Sequence, residues 1–467
     1  MLMFLFSPRL VSRCFLLLAC LLPLVADAAK PKEGPALLAD TPPLGWNSWD
    51  SYGLSVTANE WKGNTDWFHE HLQPAGWQYV IVDEGWYLAY PENAQQTGTN
   101  PKVDVGYTMD ASGRYAPAEN RFPEGLAGLA TYAHSLGLRF GIHIIRGIPK
   151  AAVKANLPIA DSSFHAVDAA DTADTCQWNP DNFGVKDGPA GQAYYDSLMK
   201  LYARWGVDFL KVDCISNPYD AHEIHMIDAA IAKAGRPVVL SLSPGPTPLA
   251  DGPDVQKSAQ MWRISNDVWD IWSDPAIPEG DFPQTVRRQF TNLANWMQWE
   301  QPGHWPDADM LPIGYLGPRF GWGQPRVSRL NFDETRTMLT LWSIARSPLV
   351  LGANLLQVDS FTESLLTNRE VLAVDQHSSN NKELLVDGAL VIWRADAPKT
   401  AATKKGTYYA VFNLGNTPAT FSYGWRPLGL GGKEHRIRDL WQSEDIGRVT
   451  QLSGNLPAHG SVLFRVE

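Results

Sequence analysis

The chain has 467 residues, of which 44% are hydrophobic and 19% are charged, and its formal net charge is −11. The apolar content excludes an intrinsically disordered protein, and the 38 glycines and 34 prolines follow no collagen-like period. The negative charge argues against nucleic acid as a partner, because nucleic acids are bound through basic surfaces. The 19 tryptophans suit either core packing or stacking on pyranose rings.

Residues 1–28 have the pattern of an export signal. Two arginines precede an apolar run over residues 15–25, and an Ala-Asp-Ala sequence follows at 26–28. The run is shorter than the roughly 20 apolar residues of a membrane span. We therefore expect an exported protein, periplasmic or extracellular, with no stable membrane insertion after signal removal. An uncleaved anchor and a lipid-modified Cys20 are the alternatives.

Cys176 and Cys214 are the two cysteines that remain once such a signal is removed. An even number of cysteines in an oxidising compartment favours a disulfide. Two free buried thiols are the alternative.

Short apolar runs alternate with helical stretches through most of the chain. The helical stretches, for example 191–205 and 333–346, carry apolar residues three and four positions apart. The strand-like runs lie at 44–49, 79–86, 139–145, 209–215, 238–243, 261–267, 305–311 and 347–355. Eight strands interleaved with helices favour a (β/α)8 TIM barrel over an open sheet. We assign an α/β fold, with a catalytic barrel over residues 29–374.

Two further segments differ from this pattern. After residue 375 the helical periodicity fades, and a C-terminal antiparallel β-sandwich domain is predicted for residues 375–467. Its predicted strands are 383–393, 406–413, 419–423 and 461–466. Residues 150–186, rich in Ala, Asp, Asn and Pro, predict a long loop after the third barrel strand. Loops on that face surround the active site, so we expect this one to shape the substrate site.

Polar residues end several of the predicted barrel strands, where barrel enzymes carry their working groups. Lys211 and Asp213 end the fourth run and share one face, because side chains alternate along a strand. Arg263 and Asp267 share a face in the sixth run. Such charges are costly to bury unless they are paired or bind a polar ligand. A structural salt bridge is the alternative for Lys211 and Asp213.

Acids and indoles gather at the same predicted rim. Asp83 and Glu84 end the second run beside Trp86, and Trp46 lies in the first run. Adjacent acids need hydrogen-bond donors, which sugar hydroxyls supply while an indole packs on the sugar ring. The pattern indicates carbohydrate recognition, with a solvated rim as the alternative.

Glycosidases commonly use two carboxyl groups, one as nucleophile or base and one as acid. Asp213 and Asp267, on the fourth and sixth strands, are the candidate pair. Lys211 is expected to keep Asp213 ionised for attack on the anomeric carbon. Asp267 is then expected to protonate the leaving oxygen.

Together these motifs resemble the α-galactosidases of glycoside hydrolase family 27, over nearly all of the mature chain. The similar segments are Leu-Gly-Trp-Asn-Ser-Trp at 44–49, Asp-Glu-Gly-Trp at 83–86, Lys-Val-Asp-Cys at 211–214, Trp-Arg-Ile-Ser-Asn-Asp at 262–267, Trp-Pro-Asp-Ala-Asp-Met-Leu at 305–311, and Ser-Pro-Leu-Val-Leu-Gly at 347–352 with Leu-Thr-Asn-Arg-Glu-Val at 366–371. Each motif is weak alone, but six in the same order make a specific match.

The resemblance implies a retaining double displacement that hydrolyses terminal α-D-galactosyl residues, with Asp213 as nucleophile and Asp267 as acid/base. It implies no catalytic metal and no cofactor, and a galactoside- or arabinopyranoside-containing oligosaccharide or polysaccharide as the substrate. It also implies a disulfide between Cys176 and Cys214. The residues implied to bind the sugar are Trp46, Asp83, Glu84, Lys211 and Arg263.

Three positions depart from the family pattern. Glu84 stands where the second acid is usually Asp, and its extra methylene group would crowd the C6 hydroxymethyl of galactose. Such crowding favours β-L-arabinopyranose, which is α-D-galactopyranose without that group. His143 replaces a Tyr and is expected to donate to a sugar hydroxyl, with a core histidine as the alternative. Ser243 lies in a smaller fifth-strand loop, which leaves α-N-acetylgalactosaminidase activity open.

Two rival classes remain. A non-catalytic sugar-binding protein would keep the tryptophans but would not need both Asp213 and Asp267. A metal-dependent barrel hydrolase would need paired histidine ligands on strands. The first run carries no histidine, and His222 and His225 fall in a predicted helix.

Overall fold

The computed structural model describes residues 37–97, 104–278, 280–319, 321–400 and 405–467. The predicted export signal, residues 1–28, lies outside the described residues. Within the described ranges, no helix has the length and apolar character needed to cross a membrane.

Eight parallel strands form one sheet. They are β1 Leu44–Asn47, β2 Tyr79–Val82, β3 Arg139–Ile145, β4 Phe209–Asp213, β5 Val239–Leu242, β6 Met261–Arg263, β7 Trp305–Asp307 and β8 Leu349–Leu351. Neighbours in the chain pair in order from β1 to β7, and β8 pairs with β1. The chain after β7 closes the ring: the N–H of Leu311 donates to Val350 O at 2.8 Å, and its carbonyl accepts from the N–H of Gly352 at 3.1 Å. The predicted (β/α)8 barrel is confirmed.

Helices lie between these strands, and two more follow β8. Longer ones are Ala58–His71, Gly125–Ser135, Pro189–Trp205, Ala221–Ala234, Gln289–Trp296, Phe332–Ala345 and Arg369–His377, and shorter ones are Trp49–Tyr52, Pro91–Thr97, Gly252–Ser258 and Ser360–Leu366. The two helices predicted by periodicity are both present. Pro189–Trp205 begins with a proline and ends at Gly206, which has a φ of 87°. Phe332–Ala345 begins with a capping box formed by Asn331 and Glu334.

The barrel strands bury both faces, as parallel strands do. Val80 and Val82 of β2 pack in the main core together with residues of the surrounding helices. Residues of the opposite parity form a separate apolar cluster inside the ring: Tyr79, Ile81, Phe209, Val239, Met261, Trp305 and Val350. This cluster fills the N-terminal half of the barrel. Only its C-terminal half is left for polar chemistry.

The segment 150–186, which we predicted as a long loop, contains regular structure. It holds the short helices Lys150–Ala155 and Ala166–Ala169. A small three-stranded antiparallel sheet joins Ile148–Pro149, Ala170–Asp171 and Asn182–Val185. The expectation of an irregular loop is wrong here, because these strands are too short to produce a readable periodicity.

The C-terminal part is antiparallel, as predicted. Its strands are β9 Ser379–Asp387, β10 Leu390–Ala397, β11 Gly406–Asn413, β12 Ala419–Gly424, β13 His435–Asp439, β14 Glu444–Val449, β15 Gln451–Leu456 and β16 Ser461–Val466. A six-stranded sheet in the order β9-β10-β11-β16-β13-β14 faces the pair β12-β15 across an apolar core. The predicted strand 383–393 is instead a hairpin, because Gly388, with a φ of 62°, forms the turn between β9 and β10.

His459, just before β16, contacts the barrel. Its ring lies 2.6 Å from a carboxylate oxygen of Glu334 and stacks on Trp272 with centroids 4.6 Å apart. Its carbonyl accepts from the hydroxyl of Thr337 at 2.7 Å. The C-terminal sheet therefore packs on the helix Phe332–Ala345 and on the segment that follows β6.

Candidate active site

The inward-facing residues change from apolar to polar toward the C-terminal ends of the strands. In β4, Phe209 belongs to the inner apolar cluster, and Lys211 and Asp213 follow it on the same face. In β2 the same alternation leads from Ile81 to Asp83. The fold thus brings side chains from several strands together at one end of the barrel.

Lys211 and Asp83 form a buried ion pair, with Nζ 2.9 Å from Oδ2. The amide of Asn47 donates to the same oxygen at 2.6 Å. Burial would raise the pKa of Asp83, but Lys211 and the hydrogen bonds outweigh burial and lower the pKa to about 2. Asp83 is therefore ionised at any physiological pH. Its partner Asn47 was not among the predicted site residues.

Asp213 accepts two hydrogen bonds. His143 Nε2 lies 3.0 Å from Oδ2, and the N–H of Cys214 donates to Oδ1 at 2.8 Å. Burial would raise the pKa of Asp213, but the hydrogen bond from His143 and the nearby positive charges lower it. The carboxylate is held ionised and in a fixed orientation. These are the properties that a nucleophile needs.

The residue after Asp213 is anchored covalently and by an arginine. Cys214 forms a disulfide with Cys176, as predicted. Its carbonyl accepts from Arg146 Nε at 2.7 Å, and the N–H of Arg146 donates to the carbonyl of Asp213 at 3.0 Å. Cys214 has a φ of 63°, in the left-handed region that non-glycine residues rarely adopt. These contacts hold the backbone in that conformation.

Asp267 lies beyond the end of β6, and its side chain is 35% exposed. Arg263 Nη2 lies 3.1 Å from Asp267 Oδ1 and 2.7 Å from Asp309 Oδ2. Asp309 Oδ2 also accepts from the N–H of Val268 at 2.6 Å. Asp309 thus holds the segment around Asp267 in two ways. It accepts a hydrogen bond from the backbone of Val268, and it pairs with Arg263, which contacts Asp267.

Two cations link the two candidate catalytic carboxylates. Burial would lower the pKa of Lys211, but three carboxylates raise it: those of Asp83, Asp213 and Asp267. Burial would likewise lower the pKa of Arg263, and carboxylates that include Asp267 and Asp213 raise it. Because each cation responds to both acids, Asp213 and Asp267 belong to one electrostatic site.

Glu84 is buried, and the side chain that hydrogen-bonds to it is an uncharged amide. The amide of Asn179 donates to its Oε1 at 2.7 Å. Burial raises the pKa of Glu84 to about 7, and the charges of Asp213 and Asp83 act in the same direction. Asn179 lies in the segment 150–186, so this segment contributes directly to the site. No sequence pattern had indicated Asn179.

Ser243 follows β5 and is buried. Inside the barrel, a cavity of about 20 Å³ is lined by Ser243, Lys211 and Arg263, together with Asn47 and Asp307. That volume is about the space of one water molecule. The structure therefore groups the predicted residues Ser243, Lys211 and Arg263 around one small space, which Phe209 and Met261 of the inner apolar cluster also line.

Three aromatic predictions need correction. Trp46 has no exposed surface, and its indole N–H donates to Ala353 O at 2.7 Å. Trp86 is also fully buried, and its indole donates to the carbonyl of His143 at 2.8 Å. Neither indole offers a face to a sugar. His143 is buried as well, and its Nε2 is directed at Asp213 rather than at a sugar hydroxyl.

Asp220, His222 and Glu223 are the group within the described residues whose ligand atoms lie close enough together for a metal ion. Arg146 already occupies this group, because its Nη1 lies 2.7 Å from Glu223 Oε1 and 3.5 Å from Asp220 Oδ2. We assign no metal to it.

A (β/α)8 barrel with paired carboxylates, cations and hydrogen-bonding groups at its C-terminal end is the architecture of a glycoside hydrolase. Comparison with known proteins identifies the family. The family model described as alpha galactosidase A matches residues 41–185 and 179–377, and the model of the alpha galactosidase C-terminal beta sandwich domain matches 387–466. The chain belongs to glycoside hydrolase family 27.

Individual relatives differ in their activities. The β-L-arabinopyranosidase of this family from Geobacillus stearothermophilus is 42% identical, covers 92% of this chain and 97% of its own, and superposes with a TM-score of 0.83. A candidate α-N-acetylgalactosaminidase from Bacillus halodurans is 36% identical, with coverages of 93% and 98% and a TM-score of 0.76. Alpha-galactosidase A from Cellvibrio japonicus is 25% identical, and the match covers 92% of each chain.

Proposed function

We propose that this glycosidase releases terminal β-L-arabinopyranosyl residues. The observation that carries the proposal is Glu84, a buried carboxylate that Asn179 holds beside Asp83. Its side chain is one methylene longer than the family's usual Asp, and the hydrogen bond from Asn179 restrains it from turning away. A galactose hydroxymethyl group at C6 would meet this carboxylate, whereas arabinopyranose has only hydrogen there. The 42% identity to a β-L-arabinopyranosidase supports the same assignment.

In the proposed mechanism, ionised Asp213 attacks the anomeric carbon while Asp267 gives its proton to the departing oxygen. A covalent glycosyl ester forms on Asp213, and the glycosidic C–O bond breaks. Asp267, now a carboxylate, takes a proton from water, and the hydroxide attacks the same carbon. This second displacement regenerates Asp213 and releases the sugar with its configuration retained. The roles of Asp83, Glu84, Lys211, Ser243 and Arg263 are to bind and orient the sugar.

The glycone is tested by comparing p-nitrophenyl β-L-arabinopyranoside with p-nitrophenyl α-D-galactopyranoside. We expect the wild-type enzyme to have the higher kcat/KM on the arabinopyranoside. Glu84→Asp should raise kcat/KM on the galactoside and narrow the difference. Glu84→Gln is the matched control, since it keeps the side-chain length. A higher kcat/KM on the galactoside that Glu84→Asp leaves unchanged would contradict the proposal.

The catalytic assignments have their own test. Asp213→Asn should abolish turnover of an unactivated methyl glycoside, because an amide cannot form the glycosyl ester. A fluorinated glycoside that traps the ester should label wild-type protein on the peptide containing Asp213. Substantial turnover by Asp213→Asn would show that another residue is the nucleophile.

The second candidate is α-D-galactosidase, the activity that the sequence motifs first indicated. It is favoured by the family models and by the named α-galactosidases that match over most of their length. The side chains of Ser243 and Ser241 are small and line the cavity inside the barrel, and the 36% identical neighbour from Bacillus halodurans is a candidate α-N-acetylgalactosaminidase. α-N-Acetylgalactosaminide should therefore be included as a third substrate.

We further propose that the protein is exported through the signal at residues 1–28 and acts on glycan oligosaccharides or polysaccharides in the periplasm or outside the cell. The disulfide between Cys176 and Cys214 supports an oxidising compartment. We retain residues 29–374 as the catalytic barrel and 375–467 as the C-terminal domain. Fractionation of the native host, with N-terminal sequencing of the mature protein, tests the export.

A further inference from the structure

Trp178 differs from every other tryptophan of this protein. All 19 tryptophans lie within the described residues, and Trp178 is the one whose side chain is exposed, with 46% of its surface accessible. Twelve others are buried and six are half-buried. Core packing explains the buried indoles but cannot explain this one. A large apolar ring facing water is more readily explained by a ligand that covers it.

The backbone on both sides of Trp178 is fixed to the proposed active site. Two residues before it, Cys176 is joined by the disulfide to Cys214, the residue next to Asp213. One residue after it, Asn179 donates to Glu84 at 2.7 Å. The exposed indole is therefore held near the barrel opening by a covalent bond and a buried hydrogen bond. It is not on a free loop.

A second exposed ring is attached to the same segment. Tyr107 is 40% exposed and hydrogen-bonds through its hydroxyl to Asp181. Its ring lies parallel to that of Tyr87, with centroids 6.3 Å apart. Among the described residues, no aromatic or cationic side chain stacks on Trp178, so its ring remains available.

We propose that Trp178 is a binding platform for the sugar on the leaving-group side of the scissile bond, a pyranose ring that stacks on the indole. This inference rests on the proposed exo-glycosidase function. An exo-acting enzyme encloses the terminal sugar, so the glycosidic oxygen and the next sugar face the opening, where Trp178 is fixed. Pyranose rings present a flat C–H face that matches an indole in size and polarity. Tyr107, which hydrogen-bonds to Asp181 of the same segment, is a second exposed ring.

The test compares two substrates that share a glycone and differ in the leaving group. One is methyl β-L-arabinopyranoside, and the other is a disaccharide with β-L-arabinopyranose linked to a hexopyranose. In Trp178→Ala, kcat/KM on the disaccharide should fall about threefold to tenfold, while kcat/KM on the methyl glycoside stays unchanged. Trp178→Phe should restore part of the loss. Val386→Ala, which truncates an exposed side chain of the C-terminal domain, should leave kcat/KM unchanged on both substrates.

The same pair is also measured with α-D-galactose as glycone, which separates this proposal from the proposed function. If the wild-type enzyme cleaves only the galactosides, the arabinopyranose assignment fails, and the galactoside pair still tests the platform. If Trp178→Ala lowers kcat/KM equally on the methyl glycoside and the disaccharide, Trp178 instead supports the fold or the pocket for the terminal sugar. No loss on either disaccharide would also overturn the platform.

Discussion

His143 and Asp213 form a buried hydrogen bond, with Nε2 3.0 Å from Oδ2. An ionised carboxylate only accepts hydrogen bonds, so the proton lies on Nε2. The other ring nitrogen, Nδ1, is buried and has no hydrogen-bond partner among the described residues. Burial would lower the pKa of His143, but the carboxylates of Asp83 and Asp213 outweigh burial and raise it. The nucleophile candidate therefore favours the charged form of the imidazole and orients the ring through Nε2. The imidazole in turn stabilises the charged form of the carboxylate.

Replacing His143 should shift the acid side of the pH–activity profile. The pKa of Asp213 is lowered because the donors outweigh burial, and activity is lost as pH falls through that pKa. His143→Leu removes the donor and keeps the burial, so the pKa of Asp213 rises and the acid limb of kcat/KM moves to higher pH. His143→Gln, whose amide can still donate a hydrogen bond, should shift the acid limb less. Coincident acid limbs for all three proteins would show that Asp213 is not controlled in this way.

Glu84 should make stability depend on pH. Its pKa rises from 4.5 to about 7 because burial disfavours the carboxylate. The folded state therefore holds a proton that the unfolded state has lost, and stability falls as pH rises from about 4.5 through about 7. Glu84→Gln removes this loss. The difference in unfolding free energy between Glu84→Gln and wild type should grow over that interval by up to about 3 kcal/mol.

Denaturant unfolding of both proteins at several pH values measures this difference. Asn179→Ala removes the neutral donor without removing the acid and should keep the pH dependence. A difference between wild type and Glu84→Gln that is constant from pH 4 to pH 8 would contradict the raised pKa.

Asp309 should act through Asp267. It accepts from the backbone N–H of Val268 and holds Arg263, which contacts Asp267. Asp309→Ala should displace the proton donor and lower kcat/KM on a methyl glycoside by about a hundredfold. A dinitrophenyl glycoside needs little protonation of its leaving group, so kcat/KM of Asp309→Ala on that substrate should fall far less. Asp309→Asn retains a hydrogen-bond acceptor, so its kcat/KM on the methyl glycoside should lie between those of wild type and Asp309→Ala. Equal losses on both substrates would indicate a general structural defect.

The disulfide should stabilise the fold and the sugar site together. Cys176 and Cys214 are separated by 38 residues, and closing a loop of that length stabilises a protein by up to about 4 kcal/mol. The double variant Cys176→Ser, Cys214→Ser should unfold at lower denaturant concentration. It should also lose selectivity between arabinopyranoside and galactoside, because Asn179 is no longer held near Glu84. Reduced wild-type protein, with both thiols verified by alkylation, should behave like the double variant.

The alternation of side chains explains which site residues could be predicted. Lys211 and Asp213 were found because one apolar strand carries both charges on the same face. The same rule, applied to β1, selects Asn47 and excludes Trp46, which faces the helices. The error with Trp46 came from choosing residues by their chemistry rather than by their parity. Alternation predicts which face of the sheet a side chain lies on, but it does not predict how deeply the side chain is buried. It therefore could not reveal that Trp86 is fully buried.

Asn179 could not be predicted. It is separated from Glu84 by 95 residues, and its hydrogen bond depends on how the segment 150–186 folds back over the barrel. That segment has no periodicity that a reader of the sequence could use. In the C-terminal part, β13, β14 and β15 were missed because few of their residues are buried and few are apolar. Strands that bury little surface leave a weak signal.

The contacts of His459 bear on how the chain could be shortened. This single residue joins the C-terminal sheet to Glu334, Thr337 and Trp272, and Trp272 lies on the segment that begins at Asp267. A truncated version ending before Ser379 would uncover the apolar side of a barrel helix and release the stretch that carries Asp267, the proposed proton donor. The C-terminal sheet thus supports the segment that begins at Asp267, and an engineered minimal enzyme would need other contacts to hold that segment.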